Sequence, residues 1–331
     1  MIKKLTGLTA SVVALASIVN AEVKINDNLA VSGYAVGAST LTDPDSGGTT
    51  STSFDSGTTN FDAVKVALTG TYDAISGKAS LFYVPESTSG ASEAGLLDAY
   101  LTYTAGSVAV TGGKFLSYLG YEAWDAINMT TITYGNSWNP IPGYHTGAKI
   151  DYTGEGFSLG AAIVDSLYMD TAQHFFGGDG SFTEGLGYEF VATYTGVEKL
   201  TVFTGLGIED PDTAFGSTWV FDIWASYALT DKLSIAGEYS YVDNPTYSAG
   251  STLDYWAVFS TYTFSDKIAA TGRVSGTISD EYGTQFTFAP TYTINSNFSV
   301  RGEVTYSDST NSSVQVGSKG FFYAVQGIFK F

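Results

Sequence analysis

The segments SYALTDKLSIAGEY, TYTFSDKIAATGRV and TYTINSNFSVRGEV, beginning near residues 226, 261 and 291, repeat one figure: strand, tight polar turn, strand. Looser copies are TYDAISGKASLFY, TYTAGSVAV, DYTGEGFSLGAAI and TYTGVEKLTVFTGL, so that seven turns are led by Tyr72, Tyr103, Tyr152, Tyr194, Tyr227, Tyr262 and Tyr292. Their spacings of 31, 49, 42, 33, 35 and 30 residues each hold two strands and a longer return loop. A tilted strand of about ten residues matches the thickness of a membrane. Seven short turns predict sixteen antiparallel strands.

The alternation inside the strands separates two faces. In FSVRGEVTY, Phe298, Val300, Gly302, Val304 and Tyr306 point one way, and Ser299, Arg301, Glu303 and Thr305 the other. Trp219, Phe221, Ile223, Ala225 and Tyr227 stand against Asp222 in the same way, as do Phe190, Ala192 and Tyr194 against Glu189. A soluble sandwich also has an apolar and a polar face. Short turns on one side, long acidic loops on the other and aromatics beside the turns favour an all-β, sixteen-stranded antiparallel transmembrane β-barrel.

Composition agrees. Gly (38), Tyr (23) and Phe (21) are abundant and only 14 % of residues are charged, with no Cys for a disulfide or thiolate metal site. Residues 1–21 read as a signal peptide, with Lys3 and Lys4 ahead of an apolar run and cleavage expected after Ala21. The barrel domain is expected over 22–331. Without the leader, 12 basic residues face 33 acidic ones, a net charge of −21. That balance argues against nucleic-acid binding, which needs a basic surface.

The motifs Gly113-Lys114-Phe115, Gly120-Tyr121-Glu122 and His145-Thr146-Gly147 resemble the β-barrel porins of Gram-negative outer membranes, particularly a group with GKF, GYE and HTG in this order. The resemblance implies a sixteen-stranded diffusion channel in the outer-membrane lipid, commonly a homotrimer, with its third extracellular loop folded into the lumen. The strand FFYAVQGIFKF, with Phe321, Tyr323, Val325, Gly327, Phe329 and Phe331 on one face, resembles the signal read by the barrel-assembly machinery.

The stretch from Gly112 to Gly147 lies between strand 5 (about 108–116) and strand 6 (about 144–153), which makes it the third long loop. It is rich in apolar residues, including Leu116, Leu119, Ile127, Met129, Ile132, Tyr134 and Trp138, and exposing them all to water would create an interaction patch. An inward-folded loop near residues 117–143, packed on the inner wall and narrowing the pore, buries them; a cover over the mouth or a subunit contact is the alternative.

Parity places Lys65, Asp98, Lys149, Asp151, Glu189, Asp222, Glu238, Arg273, Arg301 and Glu303 on the lumen side. Lys114 is out of phase with them, but it too is expected to line the lumen, turned inward by a bulge at Gly112-Gly113 that spares an ammonium from lipid. Lys65, Arg273 and Arg301 share one sector, opposite the point where the loop brings in Glu122 and Asp125. The expectation is a transverse field between basic wall and acidic loop, against the simpler pairing of these cations with Glu303, Glu238 and Asp222.

Tyr118, Tyr121 and Trp124 are candidate solute-contacting aromatics. His145 is expected to anchor the loop. His174 is read as a loop-packing residue, so that no catalytic site, metal site or cofactor is expected. The acidic residues Asp43, Asp45, Glu209, Asp210, Asp212, Asp280 and Glu281 read as solvated loops before divalent-cation ligands. The functional expectation is passive diffusion of small hydrophilic solutes and ions, with mild cation preference. A substrate-selective porin for sugars or other small nutrients and a non-conducting structural or adhesive barrel remain as alternatives.

Overall fold

The computed structural model describes residues 22–45, 51–53, 63–84, 93–168, 182, 185–211, 217–243, 252–278, 283–308 and 319–331. The expected leader at 1–21, His174, Asp212, Asp280 and Glu281 lie outside the described residues. Sixteen long strands follow one another: β1 (Leu29–Pro44), β2 (Ala63–Tyr72), β3 (Ile75–Val84), β4 (Glu93–Ala105), β5 (Val108–Leu116), β6 (Tyr144–Gly154), β7 (Phe157–Val164), β8 (Gly185–Tyr194), β9 (Leu200–Pro211), β10 (Thr218–Ala228), β11 (Leu233–Asp243), β12 (Thr252–Ser265), β13 (Ile268–Thr277), β14 (Thr284–Thr293), β15 (Phe298–Ser307) and β16 (Gly320–Lys330). Each pairs antiparallel with the next, and β16 pairs with β1 from Gly320↔Pro44 to Lys330↔Tyr34, which closes the sheet into a barrel. Closure removes the free edges that an open sheet exposes. Two short segments, Val23–Lys24 and Ser51–Ser53, add to β1 without interrupting the ring.

The polarity of the wall is the reverse of a soluble protein's. Leu101, Val258 and Phe288 are 65 %, 53 % and 56 % exposed, whereas Glu189, Asp222 and Arg273 are buried. A sheet with its apolar side outward needs lipid against it. The seven tyrosines that lead the short turns are all exposed on this outer side, the interfacial girdle that the repeat predicts.

The inner face is less uniformly polar than parity alone suggests. Tyr34, Val36, Phe82, Leu97, Val220, Trp224 and Phe259 are buried and share clusters with residues 116–141. In β4 the pairing with β3 shifts between Ala79 and Leu81. This bulge leaves Leu97 and Asp98 both buried, and Asp98 exchanges hydrogen bonds with Ser80 at 2.6 and 3.0 Å.

Candidate functional site

Residues 117–143 connect β5 to β6 with almost no regular structure beyond one 3-10 turn at Asn136–Trp138. Irregular backbone carries unpaired N–H and C=O groups, which need partners once shielded from water. Charged wall residues supply them. On the first arm, the Tyr118 amide donates to Glu189 at 3.3 Å, Gly120 to Asp222 at 2.8 Å and Tyr121 to Glu238 at 2.7 Å. The Ser117 hydroxyl also donates to Glu189, and that of Ser137 to Glu238. On the second arm, Arg301 donates to the carbonyls of Ala126, Met129 and Thr131, while Arg273 donates to that of Thr133. Glu303 accepts the amides of Ile132 and Thr133.

Two ion pairs pin the loop between its arms. Arg273 Nη1 lies 2.8 Å from Glu122 Oε1, and Lys65 Nζ lies 2.9 Å from Asp125 Oδ1 and 3.1 Å from Asp98. Lys78 shares Asp98 at 3.0 Å, and the Tyr34 hydroxyl donates to Asp125 at 3.0 Å. The Glu122 carboxyl also accepts from the Gly135 amide at 2.7 Å. Burial raises its pKa, while the charge of Arg273 pulls it back. The expected field between separated charges therefore gives way to contact pairing: basic wall and acidic loop touch. The alternative pairing fails as well, because Asp222, Glu238 and Glu303 hold loop amides and hydroxyls.

The candidate aromatics are packed against the wall. Tyr118 donates its hydroxyl to Asp151 at 2.6 Å, and burial raises its pKa further than this bond does. Tyr121 stands edge-on to Trp224 at 5.4 Å and contacts Phe259 at 4.8 Å; burial likewise raises its pKa. Trp124 meets Tyr144 and Trp138 at 5.4 and 6.0 Å. Tyr118 and Tyr121 pack against one shared cluster with Leu119 and Trp224, and Trp124 packs against another with Tyr144 and Ala126.

His145 is fully buried with Nε2 3.5 Å from Glu189. It thus stands beside the carboxylate that holds Ser117 and Tyr118. The Ser117 hydroxyl points to that carboxylate and not to the imidazole, so the three groups lack the nucleophile–base–acid order.

Lys114 corrects the sequence reading. Its strand pairs without a shift through Gly112↔Leu101 and Gly113↔Tyr100 to Lys114↔Ala99. No extra residue is present to reset the face, so Lys114 keeps the phase of exposed Val110 instead of buried Thr111. Gly113 adopts φ +127°, and a Cβ there would fall 2.1 Å from the Ala99 carbonyl oxygen. The glycine answers to this close approach.

Parity missed Tyr34 and Trp224, although Trp224 shares the phase of Asp222 two residues away. It also missed a second tether. Glu209 accepts the Ser166 hydroxyl at 2.7 Å and the Tyr168 amide at 2.9 Å, and the Tyr168 hydroxyl reaches the Pro140 carbonyl. Glu209 is thus buried in this contact instead of lying in a solvated loop.

Residues 26–331 match the family described as "Putative beta-barrel porin-2, OmpL-like". The chain belongs to this porin family. As a porin it is an outer-membrane β-barrel channel in general class, and among solved structures it is similar to OmpF of Salmonella typhi, in a complex with daunomycin, at 12 % identity with a TM-score of 0.69 over 94 % of this chain and 100 % of that one. The outer membrane channel DcaP of Acinetobacter baumannii matches at 14 % identity and TM-score 0.61, over 92 % and 97 % of the two chains. A loop-deletion mutant of OmpT from Vibrio cholerae matches at 15 % and 0.58, over 92 % and 100 %. At these identities the porin shares their fold. No curated protein sequence matches it.

Proposed function

We propose that this porin is a passive diffusion channel for small hydrophilic solutes and ions, with its pore narrowed by residues 117–143. The observation that carries the reading is the set of hydrogen bonds from this segment to charged residues of β8, β10, β11, β13 and β15. A segment so bound uses cross-section that solutes would otherwise occupy, and size and charge at that level set passage. No energy coupling or covalent step is involved. The acidic excess of the chain gives a mild preference for cations.

Export by a leader at 1–21, assembly through the strand ending at Phe331 and association as a homotrimer complete the reading. The test is planar-bilayer recording of the full barrel beside a variant lacking about residues 119–138. Conductance rises in the deletion if the segment narrows the pore. An unchanged conductance makes it a lid, and silence in both makes the barrel a non-conducting one.

A further inference from the structure

Lys149 is an inward cation with no carboxylate in ion-pair contact among the described residues. It stands on β6 opposite Thr111 and Ala162, both buried, so its side chain leaves the sheet on the inner side. Away from the strand ends, the other inward cations among the described residues are matched: Lys65 by Asp98 and Asp125, Lys78 by Asp98, Arg273 by Glu122 and Arg301 by three loop carbonyls. The Lys149 ammonium instead lies 4.4 Å from the centroid of the Tyr118 ring and 5.0 Å from that of Phe115. Contact with ring faces steadies the charge. It does not replace acceptors for three N–H donors.

The carboxylates that act on this ammonium are Asp151 and Glu189, and both are engaged by the loop. Asp151 accepts the Tyr118 hydroxyl, and Glu189 accepts the Ser117 hydroxyl and the Tyr118 amide. Gly160 lets the Tyr118 ring lie close to the wall, since a Cβ there would fall 3.0 Å from the Tyr118 phenol. The first turn of the pore segment thus fixes the aromatic flank and occupies the nearby acids, while Lys149 itself remains partly exposed.

The geometry points to Lys149 as an anion subsite beside residues 117–143, taking small organic monocarboxylates. The ammonium pairs with the carboxylate, and the half-buried Tyr118 ring flanks the carbon skeleton. With Lys65, Lys78 and Arg273 ion-paired and Arg301 spent on loop carbonyls, this residue governs how well anions pass, an inference that rests on the channel reading above.

The experiment compares wild type, Lys149→Gln and Lys149→Arg in planar bilayers, first in a potassium chloride gradient and then with benzoate replacing chloride. Lys149→Gln is expected to lower the chloride-to-potassium permeability ratio by about threefold and the benzoate ratio by more, and Lys149→Arg to restore both. Equal losses for chloride and benzoate would reduce the site to a bare charge and overturn the organic-anion assignment. An unchanged reversal potential in Lys149→Gln, or a change that Lys149→Arg leaves in place, would overturn the subsite altogether. Silence of every barrel, wild type included, would remove the channel reading and this inference together.

Discussion

Residues 117–121 and 126–131 are held by opposite charges. Residues 117–121 turn amides toward the wall and meet Glu189, Asp222 and Glu238, whereas residues 126–131 turn carbonyls toward it and meet Arg301. The second arm begins at a turn in which the Asn128 amide donates to the Asp125 carbonyl, and such a turn leaves neighbouring carbonyls pointing outward. The sign of each wall charge thus follows the backbone group presented to it. A buried charge costs several kcal/mol unless it finds partners of this kind, so wall and loop depend on each other.

The contrast can be broken most severely at Arg301. Arg301→Met leaves the carbonyls of Ala126, Met129 and Thr131 without their donor, and loss of one member of such a buried network costs about 3–5 kcal/mol. Rapid proteolysis within residues 126–131, with the barrel still resistant, is the expected readout. A gentler change on the other arm is Glu238→Gln, which keeps an oxygen for the Tyr121 amide and puts an NH2 group where the Ser137 hydroxyl now finds an acceptor. A loss of about 1–2 kcal/mol in thermal unfolding is expected, and an effect as large as that of Arg301→Met would erase the distinction between the arms. Tyr118→Phe, which deletes only the bond to Asp151, should cost about 1 kcal/mol with the ring still in place by near-ultraviolet circular dichroism.

The smallest effect concerns pH at the junction of the arms. Burial holds the Glu122 pKa above the ordinary carboxylate value, so the folded loop binds this proton more tightly than the unfolded chain does. Its contribution to stability is full below the unfolded pKa and is lost as pH rises through the folded one. Subtracting the Glu122→Gln melting curve from that of wild type isolates this contribution, and a difference that grows with rising pH would contradict the assignment.

Strand number and outer face were legible because alternation is local: Trp219, Ile223, Ala225 and Tyr227 are exposed as their parity requires, and Asp222 is buried. The same rule could not reach β1, where LAVSGYAVGAST carries small or apolar residues on both faces, and there Tyr34 went unseen. It failed at Lys114 because two adjacent glycines permit a bulge without requiring one. Residues 117–143 were recognisable as a packed loop from their apolar content alone. Their partners were not, since which amide meets which carboxylate depends on a path through space that no periodicity encodes.

Closure of the wall imposes an order in time. Gly37 faces Gly327 across the seam between β1 and β16, and residues 117–143 draw on Lys65 before them in the chain and on Arg273 and Arg301 far after them. Neither the seam nor the full set of loop tethers can form until the last strands are available. Such distant contacts make folding slow. Until those strands are in place, Glu189, Asp222 and Glu238 stand without the Arg273 and Arg301 side of the cradle, and the open sheet presents edges that can pair with another chain.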